Sequence, residues 1–361
     1  MKDNYCIIMG GGVGSRFWPF SKENYPKQFL DFFGEGRSLL QKTFDRFAKI
    51  IPTENIIIVT NVAYVSLIKE QIPTLPEANI LAEPIRRNTA PCIAYASYHI
   101  RKRNPNANIV VAPSDHLVLK EDIFLKNVES GLEFVRANQA LVTLGIKTSR
   151  PETAYGYIQT SDLGTGEFVK VKTFIEKPDQ TMAEILHKSD EFFWNSGLFL
   201  WNVNVIINAL ASYCPNVNDI FKSGTDAYNT PAESDFINKQ YPYCENISID
   251  YGVMEKAENV YMMRVDFGWA DLGTWGSLYD ISHNKDDTGN VKLQKTQAMF
   301  YNSGNNLVAV EDSDRLVVIE GLEGHIVAES GNVLLICKKE SESRIKEFIA
   351  SAKLKFGKKY V

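Results

Sequence analysis

The sequence predicts an α/β fold in which a mixed, largely parallel sheet is followed by a small β-rich domain. Short apolar runs alternate with helical patterns over the first half of the chain, which is typical of βαβ units with parallel strands. Beyond Asp286, short strands recur at intervals of about nine residues. We therefore expect a main domain at residues 1–285 and a small domain at residues 286–361.

Each element is predicted from its residue pattern. Apolar runs of strand length occur at Tyr5–Met9, Ile56–Thr60, Asn79–Leu81, Ile109–Ala112 and Leu141–Gly145. Asn88 as a cap residue and Pro91 in the first turn predict a helix that continues over Cys92–Arg103. Aromatic-rich strands and one helix follow at Phe168–Glu176, Thr181–Lys188 (helix), Leu198–Trp201 and Val260–Val265. The small domain is expected to contain strands at Ala298–Tyr301, Leu307–Val310, Arg315–Ile319, His325–Ala328 and Val333–Cys337, then a basic helix from Glu340 to Lys355.

Composition excludes several classes of protein. The net charge of −5 creates no field that would attract nucleic acid or an anionic membrane. The five cysteines are odd in number and widely spaced, which favours free thiols in a reducing cytoplasm and argues against a zinc site. No apolar stretch approaches the roughly 20 residues of a membrane span, and the N-terminus lacks the core of a signal peptide. We expect a cytoplasmic protein without nucleic-acid or membrane partners.

A glycine-rich loop follows the first predicted strand. Gly10–Gly14 let backbone N–H groups approach an anion, and Arg16 and Lys27 add fixed positive charge. The loop matches neither a P-loop nor the dinucleotide-binding glycine fingerprint. The glycines alone would also suit a tight β-to-α turn, but the two cations favour phosphate binding.

Carboxylates follow two later strands. Asp115 comes after the fourth strand, and Asp271 lies among glycines and tryptophans in Phe267–Trp275. A carboxylate at the C-terminal end of a strand, near a phosphate loop, is suited to hold Mg²⁺. Asp115 is equally compatible with a turn or helix cap, and Asp266 competes with Asp271 as a simple strand-end residue.

Three short motifs suggest a sugar site. Glu176 and Lys177 end a strand, while Tyr155–Tyr157 and Trp194–Gly197 combine aromatic rings with small and amide side chains. Each motif also has an ordinary interpretation. The charged pair is commonplace at a strand end, and the other two would suit a turn or a core cluster.

Seven motifs together resemble a known family. The segments occur in the order Gly10–Leu30, Glu83–Pro91, Pro113–His116, Phe174–Pro178, Trp194–Gly197, Ser248–Lys256 and Trp269–Trp275. They resemble the nucleoside-diphosphate-sugar pyrophosphorylases, and Phe17–Phe29 is similar to the mannose-1-phosphate guanylyltransferase branch. The resemblance implies a Rossmann-like, glycosyltransferase-A-like nucleotidyltransferase domain with a short β-helix-like tail, which is compatible with a homodimer. Longer members append an isomerase domain that this chain ends too early to contain, so we expect no isomerase activity.

The resemblance also implies a reaction and a set of residues. GTP and α-D-mannose 1-phosphate would give GDP-mannose and pyrophosphate with Mg²⁺, by in-line attack of the sugar phosphate on the α-phosphorus. Arg16 and Lys27 would hold the triphosphate, and Lys177 the sugar phosphate. Asp115 and Asp271 would hold the metal. The remaining nucleotide-binding and sugar-binding positions would be Gly10, Gly11, Gly12, Gly14, Ser15, Glu83, Asn88, Thr89 and Ser114, and Gly156, Glu176 and Asn195 together with Asp271.

Two other functions stay open at this point. The chain could be a pyrophosphorylase for another sugar 1-phosphate or nucleotide. It could also be a regulatory subunit that binds nucleotide sugars without turnover, although such a subunit would not need both metal carboxylates, Asp115 and Asp271.

Overall fold

The computed structural model describes residues 2–160 and 166–361. The strands in this part of the chain are β1 Asn4–Met9, β2 Ile56–Asn61, β3 Ile80–Glu83, β4 Asn108–Pro113, β5 His116–Val118, β6 Leu141–Lys147, β7 Tyr157–Thr160, β8 Phe168–Ile175, β9 Phe192–Asn202, β10 Val260–Val265, β11 Trp269–Asp271, β12 Val291–Lys292, β13 Gln297–Tyr301, β14 Leu307–Val310, β15 Leu316–Glu320, β16 His325–Ser330 and β17 Val333–Lys338. The α-helices are α1 Leu39–Phe47, α2 Val65–Gln71, α3 Thr89–Arg103, α4 Glu121–Ala137, α5 Gln180–Lys188, α6 Val203–Tyr213, α7 Pro215–Lys222, α8 Glu233–Gln240, α9 Trp275–Ile281 and α10 Ile345–Phe356.

The chain divides into two compact units. The first unit consists of Met1–Gly11, Phe44–Ser114 and Val118–Trp269, and the second of Gly12–Thr43, Asp115–Leu117 and Ala270–Val361. Each unit collects separate stretches of chain, so the chain passes between them several times. The division into a main domain at residues 1–285 and a small domain at residues 286–361 stays a prediction.

The first unit is built on a nine-stranded mixed sheet with the order β3-β2-β1-β4-β9-β6-β10-β8-β7. Strands β3, β2, β1 and β4 are mutually parallel, and β10 is parallel to β6. The remaining pairings are antiparallel, including those of β9 with β4, β6 and β7. Because parallel strands end at the same edge of a sheet, the loops after β1, β3 and β4 lie where ligands bind in such sheets.

The second unit contains short, mostly parallel strands. Two of its sheets have the orders β12-β14-β16-β17 and β13-β15; in these, β17 runs antiparallel to β16 and the other pairings are parallel. The buried Phe17 and Trp275 rings meet with centroids 5.1 Å apart in the core of this unit. No helix in residues 2–160 and 166–361 combines the length and the apolar character that crossing a bilayer requires.

Most predicted elements are confirmed, and the clearest difference concerns β9. Trp194–Gly197, whose pattern suited a turn or a core cluster, lies inside this strand. The pairing of β9 with β6 shifts register between Thr143 and Gly145, and Gly197 has a φ of +69°. A bulge of this kind changes the direction of side chains within a strand. This explains why the polar and small residues of this motif, which resemble a turn in the sequence, lie within a strand.

Candidate active site

In the second unit, Gly14 packs tightly against the segment that carries Lys27. Gly14 has a φ of +62°, and a Cβ at this position would lie 2.3 Å from Lys27 Cβ, so only glycine fits without backbone movement. The side-chain amide of Gln28 donates to Gly12 O at 2.9 Å. The close approach of Gly14 to Lys27 and the hydrogen bond from Gln28 to Gly12 therefore hold the backbone around Lys27 in place.

Arg16 lies in the one-turn 3₁₀ segment Ser15–Phe17 that follows Gly14. Its side chain is exposed and has no ion pair or hydrogen bond with any residue in the described part of the chain. The turn is anchored by Phe17, whose ring is fully buried. An exposed guanidinium on an anchored turn has its donors available for an anion.

Lys27 is the centre of a charged cluster in the second unit. Only 5% of the residue is exposed. Its Nζ lies 2.7 Å from Asp115 Oδ2 and 3.8 Å from Asp271 Oδ1, and it donates to Leu272 O at 2.5 Å. Burial alone would raise the pKa of Asp115, but the charges of Lys27 and His116 hold it below its ordinary value. Asp115 is therefore a carboxylate at neutral pH.

The donor set around Lys27 suits a cation that shares its ligands with a substrate. Mg²⁺ takes oxygen ligands and is commonly held by one or two carboxylates together with phosphate oxygens and water. Among the described residues, no three His, Cys, Asp or Glu side chains form a cluster that could hold a metal alone. Asp115 and Asp271, both partly exposed, could hold such an ion once phosphate oxygens supply the other ligands.

In the first unit, Glu83 faces the glycines that follow β1. A Cβ on Gly11 would lie 3.1 Å from Glu83 Oε2, so the glycine leaves room beside this carboxylate. The other oxygen, Oε1, accepts a hydrogen bond from the buried Tyr241 hydroxyl. Burial raises the pKa of Glu83 to about 7, although Tyr241 and Arg86 both act to lower it. Glu83 is thus a buried acceptor that titrates near neutrality.

The start of α3 carries the next predicted residues. Asn88 has a φ of 66°, and its Oδ1 accepts from Thr89 N at 2.9 Å, which caps the helix as predicted. The Thr89 hydroxyl accepts from Ile249 N at 2.8 Å. Gly10 and the buried Ser114 lie together, since a Cβ on Gly10 would be 3.9 Å from Ser114 Oγ. The roles predicted for these residues in nucleotide binding stay predictions.

The predicted sugar residues also meet in the first unit. A Cβ on Gly156 would lie 2.4 Å from Glu176 Oε2 and 3.6 Å from Asn195 Cβ. The backbone N–H of Asn195 donates to Gly156 O at 2.8 Å. Lys177, with a φ of 48°, forms an ion pair with Glu176 while its own side chain is 61% exposed. The charged pair is therefore present, and its exposed ammonium is also placed to bind an anion.

Asp250 belongs to this group although no role is predicted for it. Its Oδ1 accepts from Asn195 Nδ2 at 2.8 Å. Burial and the neighbouring charge of Glu176 raise the pKa of Asp250 above its ordinary value. Asp250 begins a π-helical turn, Asp250–Met254, a local geometry that is frequent at functional sites. Asp250 lies in Ser248–Lys256, one of the motifs that resemble the family, so the sequence drew attention to this segment. The motif alone does not show that Asp250 contacts Asn195.

The predicted residues thus form distinct groups. In the second unit lie Gly12, Gly14, Ser15, Arg16, Lys27, Asp115 and Asp271. In the first unit lie Gly10, Gly11, Glu83, Asn88, Thr89 and Ser114, and the sugar group Gly156, Glu176, Lys177 and Asn195. Hydrogen bonds of Thr89 to Ile249, and of Asn195 to Asp250, connect both groups of the first unit to the segment 249–250.

Comparison with known proteins agrees with these features. The family profile "Nucleotidyl transferase" matches residues 5–288. The chain is 34% identical to mannose-1-phosphate guanylyltransferase 2 of Escherichia coli O157:H7, over 99% of this chain and 75% of that protein. It is 33% identical to a mannose-1-phosphate guanylyltransferase of Klebsiella pneumoniae, over 95% of this chain and 72% of that protein.

A solved structure from Thermus thermophilus, described as a mannose-1-phosphate geranyltransferase, has the same fold. Its TM-score is 0.87 at 27% identity, covering 98% of this chain and 100% of the other. Nucleotidyl transferases generally use a divalent metal ion, which the carboxylates of Asp115 and Asp271 fit. The chain therefore belongs to the nucleotidyl transferase family, in its mannose-1-phosphate guanylyltransferase branch.

Proposed function

We propose that this enzyme transfers GMP from GTP to α-D-mannose 1-phosphate and releases pyrophosphate. The observation that best supports the transfer chemistry is the buried Lys27 Nζ, flanked by the carboxylates of Asp115 and Asp271. The choice of substrates follows the names of the relatives, which match nearly the whole chain. We further propose that residues 1–285 carry this chemistry and that residues 286–361 have an accessory role.

The reaction exchanges one phosphoanhydride bond for another. A phosphate oxygen of mannose 1-phosphate attacks the α-phosphorus in line, the bond from that phosphorus to the bridging oxygen breaks, and the electron pair leaves with pyrophosphate. No proton transfer and no covalent enzyme intermediate are needed. Because two polyanions must approach, the protein acts mainly by positioning them and offsetting charge. Arg16 and Lys27 would bind the triphosphate, and Lys177 the sugar phosphate.

Mg²⁺ is the metal that we propose for Asp115 and Asp271, since these are hard oxygen donors and too few to form a complete protein cage. When bound, it would neutralise charge on phosphate oxygens. Lys27 would then share the two carboxylates with the ion, and its Nζ would stay beside them as a second positive charge.

Glu83 is proposed to select the base. Its carboxylate can accept from guanine N1–H and N2–H₂, a pair of donors that adenine lacks. The Tyr241 hydroxyl orients one carboxylate oxygen, and Gly11 leaves space beside the other. A site built to accept hydrogen bonds discriminates strongly against a base that cannot donate them.

The hexose is proposed to lie against Gly156, Glu176 and Asn195. Asp250 orients the Asn195 amide, and Glu176 is 16% exposed and can accept from sugar hydroxyls. Asp271, which is also assigned to the metal, would contact the sugar phosphate. A small number of polar groups held in place by their own partners is typical of small-molecule sites.

The test is to mix purified protein with GTP, mannose 1-phosphate and Mg²⁺, and to measure pyrophosphate release and GDP-mannose by chromatography. Controls omit each substrate or add a chelator. A clear preference for UTP or glucose 1-phosphate would instead support another pyrophosphorylase. Absence of any turnover would support the regulatory subunit.

A matched pair of variants tests whether activity depends on the charged cluster around Lys27. Asp271→Asn should lower kcat/KM by about 10²–10³, as for other electrostatic stabilisers. Asp266→Asn, at an 89% exposed carboxylate that pairs with Lys120, should leave activity near wild type. Equal losses in both variants would contradict the role of Asp271.

We also propose a cytoplasmic homodimer without nucleic-acid or membrane partners. All five cysteines are free thiols, which suits a reducing compartment. The outer face of β13 and β15 exposes Met299, Tyr301, Leu316 and Val318, each 45–59% exposed. A contiguous apolar face of this kind is commonly covered by a second copy. Sedimentation of wild type and of Val318→Lys would test the assignment, with a shift to monomer expected for the variant.

A further inference from the structure

A cavity of about 600 Å³ lies beside β3, the edge strand of the nine-stranded sheet. Its buried wall includes Leu81, Tyr95 and His99, and its open side includes the exposed residues Thr230 and Ser234. None of the residues assigned above to nucleotide, metal or sugar lines it. The volume is within the range of small-molecule sites.

The cavity contains a fixed cation. The Arg103 guanidinium donates from Nη1 to Asn79 Oδ1 at 2.6 Å, from Nη2 to Ala78 O at 3.1 Å and from Nε to Asn229 Oδ1 at 2.5 Å. All three acceptors are neutral, and no carboxylate in the described ranges lies within ion-pair distance of this guanidinium. Burial lowers the pKa of Arg103, although the charges of Glu233 and Tyr5 act to raise it. Two N–H groups remain for another acceptor.

Glu233 also lines the cavity, and both of its carboxylate oxygens already have partners within the protein. Glu233 Oε1 lies 2.6 Å from His99 Nδ1, and Oε2 accepts from Asn229 N at 2.7 Å. Burial would raise the pKa of Glu233, but these bonds and the charge of His99 hold it below its ordinary value. His99 Nε2 is buried without a hydrogen-bond partner in the described residues. Both oxygens of Glu233 are thus engaged by His99 and Asn229, and in the described ranges neither lies within ion-pair distance of the Arg103 guanidinium.

We propose that this cavity binds a small organic phosphate, with the phosphate on Arg103 and the organic part against the apolar wall. The planar fork of arginine matches a phosphate through two parallel hydrogen bonds. Ile80, Ala82 and Pro231 provide the apolar surface for the remainder of the ligand. Three anchors hold the guanidinium in one geometry, so little side-chain entropy is lost when the ligand binds.

The cavity wall connects to the residue that we propose reads the base. Tyr95, whose ring lines the cavity, meets the Tyr241 ring edge-on with centroids 6.5 Å apart. Tyr241 in turn donates to Glu83. An occupant that shifts Tyr95 would therefore alter the affinity for GTP, and this consequence rests on the proposed function.

The test is calorimetric titration of the full chain with phenyl phosphate, with benzoate and phenol as carboxylate and neutral comparisons. Arg103→Gln removes the cation, and Ser234→Tyr places a bulky ring at the open side of the cavity while all three anchors of Arg103 keep their native residues. Each should weaken phenyl phosphate binding about tenfold or more, the scale of a lost charge-assisted contact. Lys102→Gln, an equal charge change on an exposed neighbour that does not line the cavity, should bind like wild type, as should Lys177→Ala.

Binding that survives both Arg103→Gln and Ser234→Tyr, or absence of binding to wild type at millimolar concentration, overturns the site. Tighter binding of benzoate than of phenyl phosphate would show that the cavity prefers carboxylates, and would overturn the proposed organic phosphate. Phenyl phosphate binding with an unchanged Kd for GTP overturns the link through Tyr95. Phenyl phosphate binding by a chain that binds no GTP supports the cavity and contradicts the proposed function instead.

Discussion

Replacing Lys27 by glutamine tests the centre of the proposed active site. The change removes a cation that is only 5% exposed and leaves Asp115 and Asp271 facing each other without it. Removal of one partner from a fully buried ion pair costs about 3–5 kcal/mol, so we expect about 2–3 kcal/mol here, because the carboxylates are 27% and 33% exposed. Catalysis should fall further, by about 10²–10³ in kcat/KM.

Urea unfolding and pyrophosphate release measure the two effects separately. Lys22→Gln, in the same loop but outside the cluster, is the matched control and should change neither quantity appreciably. The Asp115 carboxylate, whose pKa is held low in the wild type, contributes stability above its unfolded pKa that is lost as pH falls through the lower folded value. Lys27→Gln should weaken this acid-side dependence. A folded Lys27→Gln protein with kcat/KM within about tenfold of wild type would refute the reasoning.

The remaining predictions concern the base, the glycine loop and the sugar. Glu83→Gln should lower kcat/KM for GTP by about 10–10² and reduce the preference over ATP, since an amide cannot accept from both guanine donors; unchanged selectivity in a nucleotide panel would contradict this role. Because burial raises the pKa of Glu83 to about 7, GTP preference should decline as pH falls through 7. The stability linked to this group should be fully present below its unfolded pKa and be lost as pH rises through about 7, and Glu83→Gln should flatten both profiles. Gly14→Ala should destabilise by about 2–4 kcal/mol in urea unfolding, from the left-handed backbone and the contact with Lys27; Gly12→Ala, whose Cβ would meet nothing within 4 Å, should stay close to wild type, and equal effects would count against the packing explanation. Asp250→Ala should raise KM for mannose 1-phosphate more than it lowers kcat, and Asp250→Asn, which keeps an oxygen for the Asn195 amide, should recover most of the loss; a pure kcat effect would exclude the positioning role.

Local patterns were sufficient for much of the fold. The first strand, the cap at Asn88 and the strand Val260–Val265 are confirmed because their signals are contained within a few consecutive residues. β9 was predicted too short, since its bulge at Gly197 depends on pairing with β6, which lies far away in the sequence.

The sequence alone identifies the charged residues and glycines of the site, and the resemblance to a known family assigns roles to them. Lys27, Asp115 and Glu176 could be named from their places after predicted strands, and Asn195 from the motif Trp194–Gly197, because residue chemistry and strand ends are local properties. Their partners depend on the folded chain. The salt bridge from Lys27 to Asp115, the Tyr241 hydroxyl on Glu83 and the contact of Asp250 with Asn195 join residues that are distant in sequence. Burial and neighbouring charge, which set the pKa values of Glu83 and Asp250, exist only once the chain has folded.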